Sequence, residues 1–283
     1  MISNIMIIDI QQIMIASLMA QIFEVKELNH DEDLLRHMVM NMVRNIRVKF
    51  KNDYPVCVIA HEGRNSWRKQ IFPYYKANRK KNRDESALNW NFIFESFSKF
   101  SQEFKDYFSY YSIHVEEAEA DDIIGTICLK YPQTKIKVIS GDHDFNQLLN
   151  NPNITQYSPI QKKEISVPNN LDFVFFEHIC KGDSGDGIPN ILSEDDCFIN
   201  KIRQKPITQK RLNEWFPNNI PIENIEKFKR NNTLINLKNT PSDIQQEIVN
   251  QFEFCLNNKK KSNLMNYAIK YKLRNLMDNL SDF

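Results

Sequence analysis

The sequence has little glycine, no paired cysteines and no long apolar run. Only 6 of its 283 residues are glycine, and its 5 cysteines stand singly at long spacings. Cysteines scattered in this way exclude a disulfide framework and a cysteine-rich zinc site, and they predict reduced thiols that pack in the core. No apolar run approaches the ~20 residues that span a bilayer. Asp9 interrupts the apolar opening, which has no basic segment or cleavage site. We therefore expect a cytoplasmic protein.

The motifs of several enzyme classes are also missing. There is no G-x-S-x-G turn for a serine nucleophile, and no cysteine and histidine form a pattern typical of a cysteine nucleophile. Gly141-Asp142-His143-Asp144 lacks the glycine spacing and the lysine of a phosphate-binding loop. The histidines stand singly, and only His143 lies within one of the acidic motifs described below. Covalent catalysis and nucleotide binding through a glycine-rich loop are therefore poor explanations of this chain.

The overall composition is that of a globular protein with almost no net charge. The chain has 37 basic and 36 acidic side chains, 41% hydrophobic residues and a mean hydropathy of −0.53. This length and apolar content suit one large domain or two modest ones with a sizeable core. The position of the charges is therefore more informative than their sum.

Positive charge is concentrated in one segment, Arg64–Arg83, which we call the basic segment. It contains eight cations and no acid: Arg64, Arg68, Lys69, Lys76, Arg79, Lys80, Lys81 and Arg83. Four aromatic residues lie among them: Trp67, Phe72, Tyr74 and Tyr75. Cations can neutralise a phosphate backbone while aromatic rings stack on bases, so this pattern indicates nucleic-acid binding. A solvated helix face, with aromatic residues packing it onto the body, explains the same pattern about equally well.

Strand and helix patterns alternate through about residue 150. Buried strands are predicted at Ile5–Ile10, Val56–Ala60, Ser112–Val115 and Lys135–Ser140, and helices at Asp31–Phe50, Asn89–Phe108, Glu119–Lys130 and Phe145–Asn150. This alternation predicts a parallel α/β sheet with right-handed crossovers. Beyond residue 170 the pattern is mostly helical, with helices predicted at Leu171–Lys181, Ser193–Ile202, Ile207–Phe216, Ser242–Leu256 and Asn263–Asn279. We therefore predict an α/β domain over residues 1–180 and a smaller helical domain over 181–283.

Acidic residues gather in three motifs that follow predicted strands or begin helices. With Asp9 they supply eight carboxylates: Asp9, Glu119, Asp121, Asp122, Asp142, Asp144, Asp183 and Asp186. Carboxylates that share a cleft repel one another, so their pKa values rise or bound cations neutralise them. Oxygen ligands without cysteine or paired histidine favour Mg²⁺, with Mn²⁺ as a substitute. Two such ions would suit phosphodiester hydrolysis. Any one acid could instead be a helix cap or a surface ion-pair partner, an alternative that Asp9 resists best because buried residues surround it.

The ordered motifs resemble those of the flap endonuclease or 5′ nuclease family, and within it the ribonuclease H group of T-even phages. The resemblance rests on Asp9, Glu119-Ala120-Asp121-Asp122, Ser140-Gly141-Asp142-His143-Asp144-Phe145 and Gly182-Asp183-Ser184-Gly185-Asp186. It extends along almost the whole chain through Trp67-Arg68, Tyr74–Arg79, Glu95-Ser96, Gln156–Pro159 and Asp282-Phe283. Several motifs in a fixed order are far more specific than one short pattern.

The resemblance implies a PIN-like or resolvase-like nuclease core, a helical arch over the active site at about residues 64–90, and a helical duplex-binding domain. It implies a magnesium-dependent enzyme that removes RNA primers and adjacent DNA from 5′ ends and cuts flaps in phage replication. All eight carboxylates would hold two metal ions, with Asp9 and Asp142 near the attacking water and Lys76 and Arg79 at the scissile phosphate. The residues expected at DNA are Arg64, Trp67, Arg68, Tyr75, Lys76, Arg79, Lys80, Lys81, Lys201 and Arg203.

The sequence departs from the family pattern at two places. Ala60 ends the second predicted strand, where the family has an aspartate. Either the acid is lost naturally, with Glu62 as a candidate substitute, or it was replaced to stop cleavage; in both cases we expect weakened activity. Residues 187–192 lack the glycine repeat with which many relatives shape a helix–hairpin–helix turn. A monovalent-ion site there is therefore not supported.

Three functional hypotheses follow. The first is a 5′ nuclease acting on DNA and RNA–DNA duplexes with 5′ ends, flaps or forks. The second, motivated by Ala60, is a nuclease-inactive protein that binds forked DNA. The third is a PIN-type ribonuclease acting on folded RNA, which leaves the helical C-terminal region unexplained. The family alone implies a single-stranded DNA-binding protein and a sliding clamp as partners, and the cytoplasm of an infected host as the location. We expect a monomer.

Overall fold

The computed structural model describes residues 3–25 and 31–283 and shows one six-stranded sheet between layers of helices. The strands are β1 (Ile5–Asp9), β2 (Val56–Ala60), β3 (Tyr111–Ile113), β4 (Ile136–Ile139), β5 (Ile154–Ser158) and β6 (Lys163–Glu164). The α-helices are α1 (Ile10–Val25), α2 (Glu32–Phe50), α3 (Arg68–Ile71), α4 (Ala77–Asp84), α5 (Trp90–Tyr107), α6 (Ala120–Lys130), α7 (Leu171–Lys181), α8 (Gln209–Trp215), α9 (Ile225–Ile235), α10 (Ser242–Asn257), α11 (Leu264–Lys270) and α12 (Arg274–Met277). Short 3₁₀ turns lie at His143–Leu148, Ile222–Asn224, Leu237–Asn239 and Leu280–Asp282.

The sheet has the strand order β3-β2-β1-β4-β5-β6, and its first five strands are parallel. Only the short β6 runs antiparallel, pairing with β5. The central strand β1 is buried at all five positions, as expected for a parallel strand covered on both faces. Asp9 pairs in register with Ala60 at the carboxyl end of β1. The predicted parallel α/β fold is confirmed.

Two hydrophobic clusters cover the two faces of the sheet. Met6 and Ile8 of β1 face the cluster formed by α1, α2, α5, α11 and α12. Ile5 and Ile7 face the cluster formed by α6, α10 and the 3₁₀ turn at His143–Leu148. The alternation follows from the two-residue period of a strand, which sends successive side chains to opposite faces. The sheet is therefore rigidly held, and its carboxyl edge is a stable platform for a site.

The chain beyond α7 has two parts. The loop at 188–192 packs with α7 and α8 in a small cluster that includes Phe176 and Trp215. Further on, α10 packs on the sheet face lined by α6, and α11 and α12 pack on the opposite face beside α5. The last helices therefore contribute to the core of the α/β layer. A domain boundary at residue 180 stays a prediction.

Several predicted elements need correction. The predicted helix at Ser193–Ile202 is a series of turns, in which the Ser193 hydroxyl donates to the Asn190 side chain and accepts from the Lys205 backbone N–H, bonds that compete with a helix. The predicted helix at Asn263–Asn279 is broken around Lys272, whose φ is 54°. Helices α1 and α9 and strands β5 and β6 were not predicted. The other predicted elements agree with the observed ones to within a few residues.

All five cysteines are free, four of them buried and Cys255 half-buried, which confirms the prediction of packing thiols. Within residues 3–25 and 31–283, no helix combines the length and apolar character required to cross a bilayer.

Candidate functional site

The acidic residues meet at the carboxyl edge of the sheet. Asp9 ends β1, and Asp142 and Asp144 follow β4, the neighbouring strand. Asp121 lies in the first turn of α6, where the helix dipole favours negative charge. This is the edge at which open α/β sheets bind ligands.

Asp9 is held at the junction of β1 and α1. One carboxylate oxygen accepts a hydrogen bond from the Gln12 backbone N–H (3.1 Å), which caps α1, and the other accepts one from the Ser140 hydroxyl (3.3 Å). Burial, with repulsion from Asp142, raises the pKa of Asp9 to about 6. The side chain is therefore fixed in position but lacks a positively charged partner among the described residues.

The same unsatisfied charge appears at two neighbouring acids. Burial and repulsion from Asp142, Asp9 and Asp144 raise the pKa of Asp121 well above its usual value. Burial and repulsion from Asp142 raise the pKa of Asp144 to about 7, although His178 acts against the shift. One oxygen of Asp144 is buried without a hydrogen-bond partner. These are the properties of carboxylates that a divalent cation would stabilise.

Asp122 has a different role, which corrects its assignment as a metal ligand. Its carboxylate accepts two hydrogen bonds from the Arg68 guanidinium (2.8 and 2.9 Å) and others from the Trp67 indole, the Thr240 hydroxyl and the Glu119 backbone N–H. The side chain is completely buried. Both oxygens are therefore occupied by protein donors and are not available to a metal.

Three of the residues expected to contact nucleic acid are also interior residues. Trp67, Arg68 and Tyr75 are 4%, 2% and 2% exposed. The guanidinium of Arg68 joins Asp122 to the Leu234 carbonyl at the end of α9, and Tyr75 packs in a cluster with Phe72 and Ile188. These side chains attach the basic segment to the body of the protein, because burial offsets the cost of ordering them. The prediction that they face DNA is wrong.

The surface of the basic segment is strongly cationic. Helix α4 buries none of its residues. Arg64, Lys80 and Lys81 are exposed, as are Lys201 and Arg203 in the loop after the 193–201 turns. Lys201 pairs with Glu85 at 3.1 Å, so it links this loop to the end of α4. The exposed cations therefore form a surface that can meet a polyanion.

Lys76 and Arg79 reach from the basic segment into the acidic cluster. The Lys76 ammonium donates to Glu119 (2.7 Å) and lies 3.8 Å from carboxylate oxygens of both Glu62 and Asp186. Arg79 pairs with Asp186 and donates to the Gly185 carbonyl at 2.9 Å. Burial would raise the pKa of Glu119, but Lys76 and Arg68 hold it at about 2. Glu119 and Asp186 therefore each have a positively charged partner from the basic segment.

Asp183 and Asp186 lie on a tight loop that begins at Gly182. Gly182 ends α7 with φ +67°, and a Cβ atom there would lie 2.3 Å from the Ile188 carbonyl oxygen. Only glycine tolerates both conditions, so the loop can turn back toward the sheet. Tyr75 then offers its hydroxyl to Glu119 and Asp186, each at 2.7 Å. This phenol connects the loop with the first turn of α6.

Ala60 lies beside Asp9 at the end of β2 and is fully buried. Two residues later, Glu62 accepts a hydrogen bond from the Ala120 backbone N–H (3.1 Å) at the start of α6. Burial raises the pKa of Glu62 to about 7, with repulsion from Glu119 and Asp9 in the same direction and Lys76 against it. The candidate substitute for the missing aspartate therefore does reach the acidic cluster.

Two hollows adjoin the cluster. A pocket of about 10 Å³, roughly the volume of one water molecule, is lined by Glu119, Asp121, Asp144, Asp183 and Asp186. A cavity of about 1100 Å³ lies between the basic segment and α5. Its basic lining residues are Arg64, Lys69, Lys76, Arg79, Lys80, Arg83 and Lys105. Tyr75 lines both hollows, and Lys76 reaches from the larger cavity to Glu119 of the acidic cluster.

His178 belongs to the site, although sequence reasoning treated it as an isolated histidine. It lies in the last turn of α7, and its ring centroid is 4.9 Å from that of His143. The spacing His178…Asp183 across a helix end was the signal that could have identified it. Seven of the eight predicted acids therefore remain candidates for holding a metal, joined by Glu62, His143 and His178.

The donor set fits divalent cations. Around Asp9, Asp121 and Asp142 the described ligand atoms are carboxylate oxygens, which Mg²⁺ and Mn²⁺ prefer. The raised pKa values, and an oxygen of Asp144 that accepts no hydrogen bond, are what a bound cation would stabilise.

Comparisons with known proteins agree with this geometry. The sequence model of the 5′-3′ exonuclease N-terminal resolvase-like domain matches residues 4–173. The chain is 27% identical to ribonuclease H of Enterobacteria phage T4 over 295 residues, covering 99% of this chain and 96% of that protein. It is 31% identical to flap endonuclease Xni of a Shewanella species (strain MR-4), covering 44% of this chain and 48% of the relative.

Solved structures give the same fold. The D15 protein of phage T5, co-crystallised with metal ions, has a TM-score of 0.62 at 17% identity, covering 90% of this chain and 98% of that one. A variant of the T5 D15 flap endonuclease, in a pseudo-enzyme-product complex with DNA and metal ions, has a TM-score of 0.62 at 15% identity, covering 90% and 100%. At these identities the likeness concerns the fold alone.

Proposed function

Because the chain belongs to the 5′-3′ exonuclease family, we propose that it is a divalent-metal-dependent 5′ nuclease acting on DNA and RNA–DNA duplexes with 5′ ends, flaps or forks. Within this proposal the enzyme removes RNA primers and adjacent DNA from lagging-strand fragments in phage replication. The observation that carries it is the convergence of seven acidic residues, which Lys76 and Arg79 connect to a cavity lined by seven cations.

The metal-binding part of the proposal assigns the acids to two ions. Asp9, Glu119, Asp121 and Asp142 would hold one ion, and Asp144, Asp183 and Asp186 the other. Mg²⁺ at such a site supplies a polarised water and neutralises charge on phosphate, and Mn²⁺ would substitute. Support comes from the raised pKa values of Asp9, Asp121 and Asp144, since acids of this kind gain from a bound cation.

The basic segment would position the substrate. Its exposed cations neutralise backbone phosphates in any sequence, which an enzyme acting on ends and junctions needs. Lys76 and Arg79 already reach the acidic cluster, so both can contact a phosphate next to the bound ions once they exchange their carboxylate partners. The loop carrying Lys201 and Arg203 would extend this surface along the duplex.

Cleavage of a 5′-labelled flap substrate tests the proposal. The wild type should cleave it with Mg²⁺ or Mn²⁺ and not in EDTA, and Asp142→Asn should abolish cleavage while sparing binding of forked DNA. Asp106→Asn, an exposed acid at the far end of α5, is the matched control and should cleave as the wild type does. Full activity of Asp142→Asn would defeat the proposal, and preferential cleavage of folded RNA would favour a PIN-type ribonuclease.

Ala60 supports a second candidate, a protein that binds forked DNA without cleaving it. Removing one carboxylate beside Asp9 can misplace a metal or its water, and about 1 Å of displacement can cost roughly 100-fold in rate. Ala60→Asp should therefore raise flap cleavage, while binding changes little. If the wild type binds forks tightly and cleaves only after this substitution, the second candidate is correct. Equal rates of the two proteins would support the nuclease as it stands.

A further inference from the structure

Two histidines flank the acids of the second proposed ion position. His143 lies between Asp142 and Asp144, and His178 lies on α7 five residues before Asp183. One ligand atom from each of His143, Asp144, His178 and Asp183 can be chosen so that all four lie within 4.8 Å of one another. These residues come from two separate segments, which the contact between the 3₁₀ turn and α7 brings together.

The distances among these groups are too long for hydrogen bonds. His178 Nδ1 is 3.6 Å from Asp144 Oδ1, His178 Nε2 is 3.7 Å from Asp183 Oδ2, and His143 Nε2 is 3.8 Å from Asp144 Oδ1. Both Asp144 Oδ1 and His178 Nε2 are buried and have no hydrogen-bond partner. Unsatisfied buried groups are costly, and a cation held between these side chains would satisfy them, as an alternative to the ion pairs that a protonated His178 makes with Asp144 and Asp183.

Ligands that share one small ion lie closer together than these groups do. Nitrogen and oxygen ligands at about 2.0–2.2 Å from a tetrahedral ion lie roughly 3.3–3.6 Å apart. An ion takes one nitrogen of each imidazole, and with one ligand atom per residue the four atoms lie within 4.8 Å of one another, so side-chain rotation has to bring them inward. The His143 side chain is 67% exposed and free to make that movement, whereas His178 and Asp144 are 14% and 16% exposed and nearly fixed. His178 and Asp144 are thus held in place by the fold, whereas His143 is a mobile ligand at the surface of the site.

Imidazole ligands change the preference for a metal. Mg²⁺ is a hard ion that takes oxygen ligands and keeps its waters, whereas imidazole nitrogen suits Zn²⁺, Co²⁺ and similar transition ions. We infer that His143, Asp144, His178 and Asp183 form a mixed imidazole–carboxylate site that binds a transition-metal ion in preference to Mg²⁺. This inference rests on the proposed function and deepens it, because it gives the two ion positions different metal preferences.

Co²⁺ titration followed by visible absorption tests the inference without measuring activity. Metal-stripped wild-type protein in excess Mg²⁺ should bind one Co²⁺ ion with d–d bands of a nitrogen-containing site, and Zn²⁺ should displace it. His143→Gln and His178→Gln should each weaken Co²⁺ binding by at least the roughly 10- to 100-fold that loss of a supporting group costs. His37→Gln, on α2 across the sheet, is the control and should bind as the wild type does.

His143→Gln keeps the test decisive, because this exposed side chain can be replaced without disturbing the fold. Co²⁺ binding that is unchanged in both variants, or that Mg²⁺ displaces at equal concentration, would overturn the inference. Failure of the proposed function would look different, since flap cleavage would then be absent while Co²⁺ still bound. Cleavage with Mg²⁺ in a protein that binds no Co²⁺ would overturn the inference and leave the nuclease proposal standing alone.

Discussion

At the scale of single residues, neighbouring acids in the first turn of α6 have opposite roles. Asp122 is enclosed by Arg68, Trp67 and Thr240, so its charge is satisfied within the protein. Asp121, one residue earlier, is raised in pKa by burial and by Asp142. A difference of one position along a helix turns a side chain by about 100°, which is enough to direct Asp122 to an interior ion pair and Asp121 to the acidic cluster.

Replacing these two acids should separate stability from activity. Asp122→Asn leaves Arg68 with a buried charge that lacks its partner and should lower the free energy of unfolding by about 3 kcal/mol or more. Asp121→Asn should abolish cleavage, yet make the metal-free protein more stable, because it removes repulsion. Urea unfolding of both variants without metal checks the prediction. It would be contradicted if Asp121→Asn were the more destabilised of the two.

Glu62 offers a second comparison between neighbouring side chains. If it substitutes for the acid missing at Ala60, Glu62→Gln should reduce flap cleavage with Mg²⁺ by roughly 100-fold, the cost of a misplaced reacting group. Ala60→Asp combined with Glu62→Gln should recover most of the loss, since a carboxylate then returns beside Asp9. Glu117→Gln, an exposed acid in the adjacent loop, is the control. No recovery in the double variant would assign Glu62 to pairing with Lys76 instead.

At the scale of elements, the basic segment combines an interior and an exterior role. Phe72, Tyr75 and Arg68 pack inward, whereas α4 buries no residue and exposes Lys80 and Lys81 to solvent. The inward contacts hold the segment over the acidic cluster through Tyr75 and Lys76. The outward cations are therefore presented from a fixed position and do not swing freely on a loop.

The outward cations should control the salt dependence of binding. Lys69 and Lys80 are exposed and line the large cavity, so replacing both with alanine should weaken binding to flaps of different sequence to a similar extent. Removal of one lysine–phosphate ion pair should reduce the steepness with which the logarithm of the DNA-binding constant falls with the logarithm of the salt concentration by about 1. Lys130→Ala with Lys135→Ala, at the opposite edge of the sheet, is the matched control. Fluorescence anisotropy at several salt concentrations provides the slopes, and equal slopes for both pairs would contradict this role.

The sequence predicted the elements in which one period dominates. The continuous apolar strands β1, β2 and β4 and the amphipathic helices α2 and α5 were found within one or two residues of their observed bounds. Helix α1 was missed because it follows β1 without an intervening turn, with Asp9 ending the strand and capping the helix at once. The turns at 193–201 were read as a helix because their local side-chain hydrogen bonds leave no periodic trace.

The site was predictable as a set of acids but not as a set of roles. The order of the acidic motifs identified which residues converge, because each follows a strand or begins a helix at the same edge of the sheet. The ion pair of Asp122 with Arg68 depends on a contact 54 residues apart in sequence. His178 meets Asp144 only through the packing of α7 on the 3₁₀ turn. Such contacts depend on the tertiary structure, so the local sequence around each residue does not reveal them.

At the scale of the whole molecule, the acidic site has two halves that differ in how the charges of their carboxylates are compensated. The half facing the basic segment is neutralised within the protein, since Lys76 and Arg68 keep Glu119 ionised with a pKa of about 2. The half centred on Asp9, Asp121 and Asp144 contains acids whose pKa values are raised by burial and by repulsion from neighbouring carboxylates. A cation bound in the second half therefore acts on the stability of the fold as well as on chemistry.

This division predicts how stability depends on pH without metal. Burial raises the pKa of Asp9 to about 6 and that of Asp144 to about 7, so the folded protein holds protons that the unfolded chain has released between about pH 4 and 7. Stability contributed by these groups is therefore present below about pH 4 and lost as the pH rises through about 7. Asp144→Asn mimics the protonated form, so its melting temperature should exceed that of the wild type, with a gap that widens from about pH 5 to about pH 8. A gap that narrows over this range would contradict the assignment.

A bound metal ion should restore the stability that is lost as the pH rises, and its effect should be largest at a pH where the carboxylates are ionised. A ligand at about 100 times its dissociation constant stabilises the folded state by about 2.7 kcal/mol, which corresponds to roughly 5 °C or more in melting temperature for a chain of this size. We expect such a rise with Mn²⁺ at about pH 8 and little or none at about pH 5, where protons compete for the same oxygens. Asp121→Asn should lose most of the rise at the higher pH, and Asp106→Asn should keep it, because only the first residue faces the cluster. Differential scanning calorimetry of the three proteins measures these changes in melting temperature. If the metal-induced rise were equal at the two pH values, or in the two variants, the acids at the carboxyl edge of the sheet would not be the metal-binding groups.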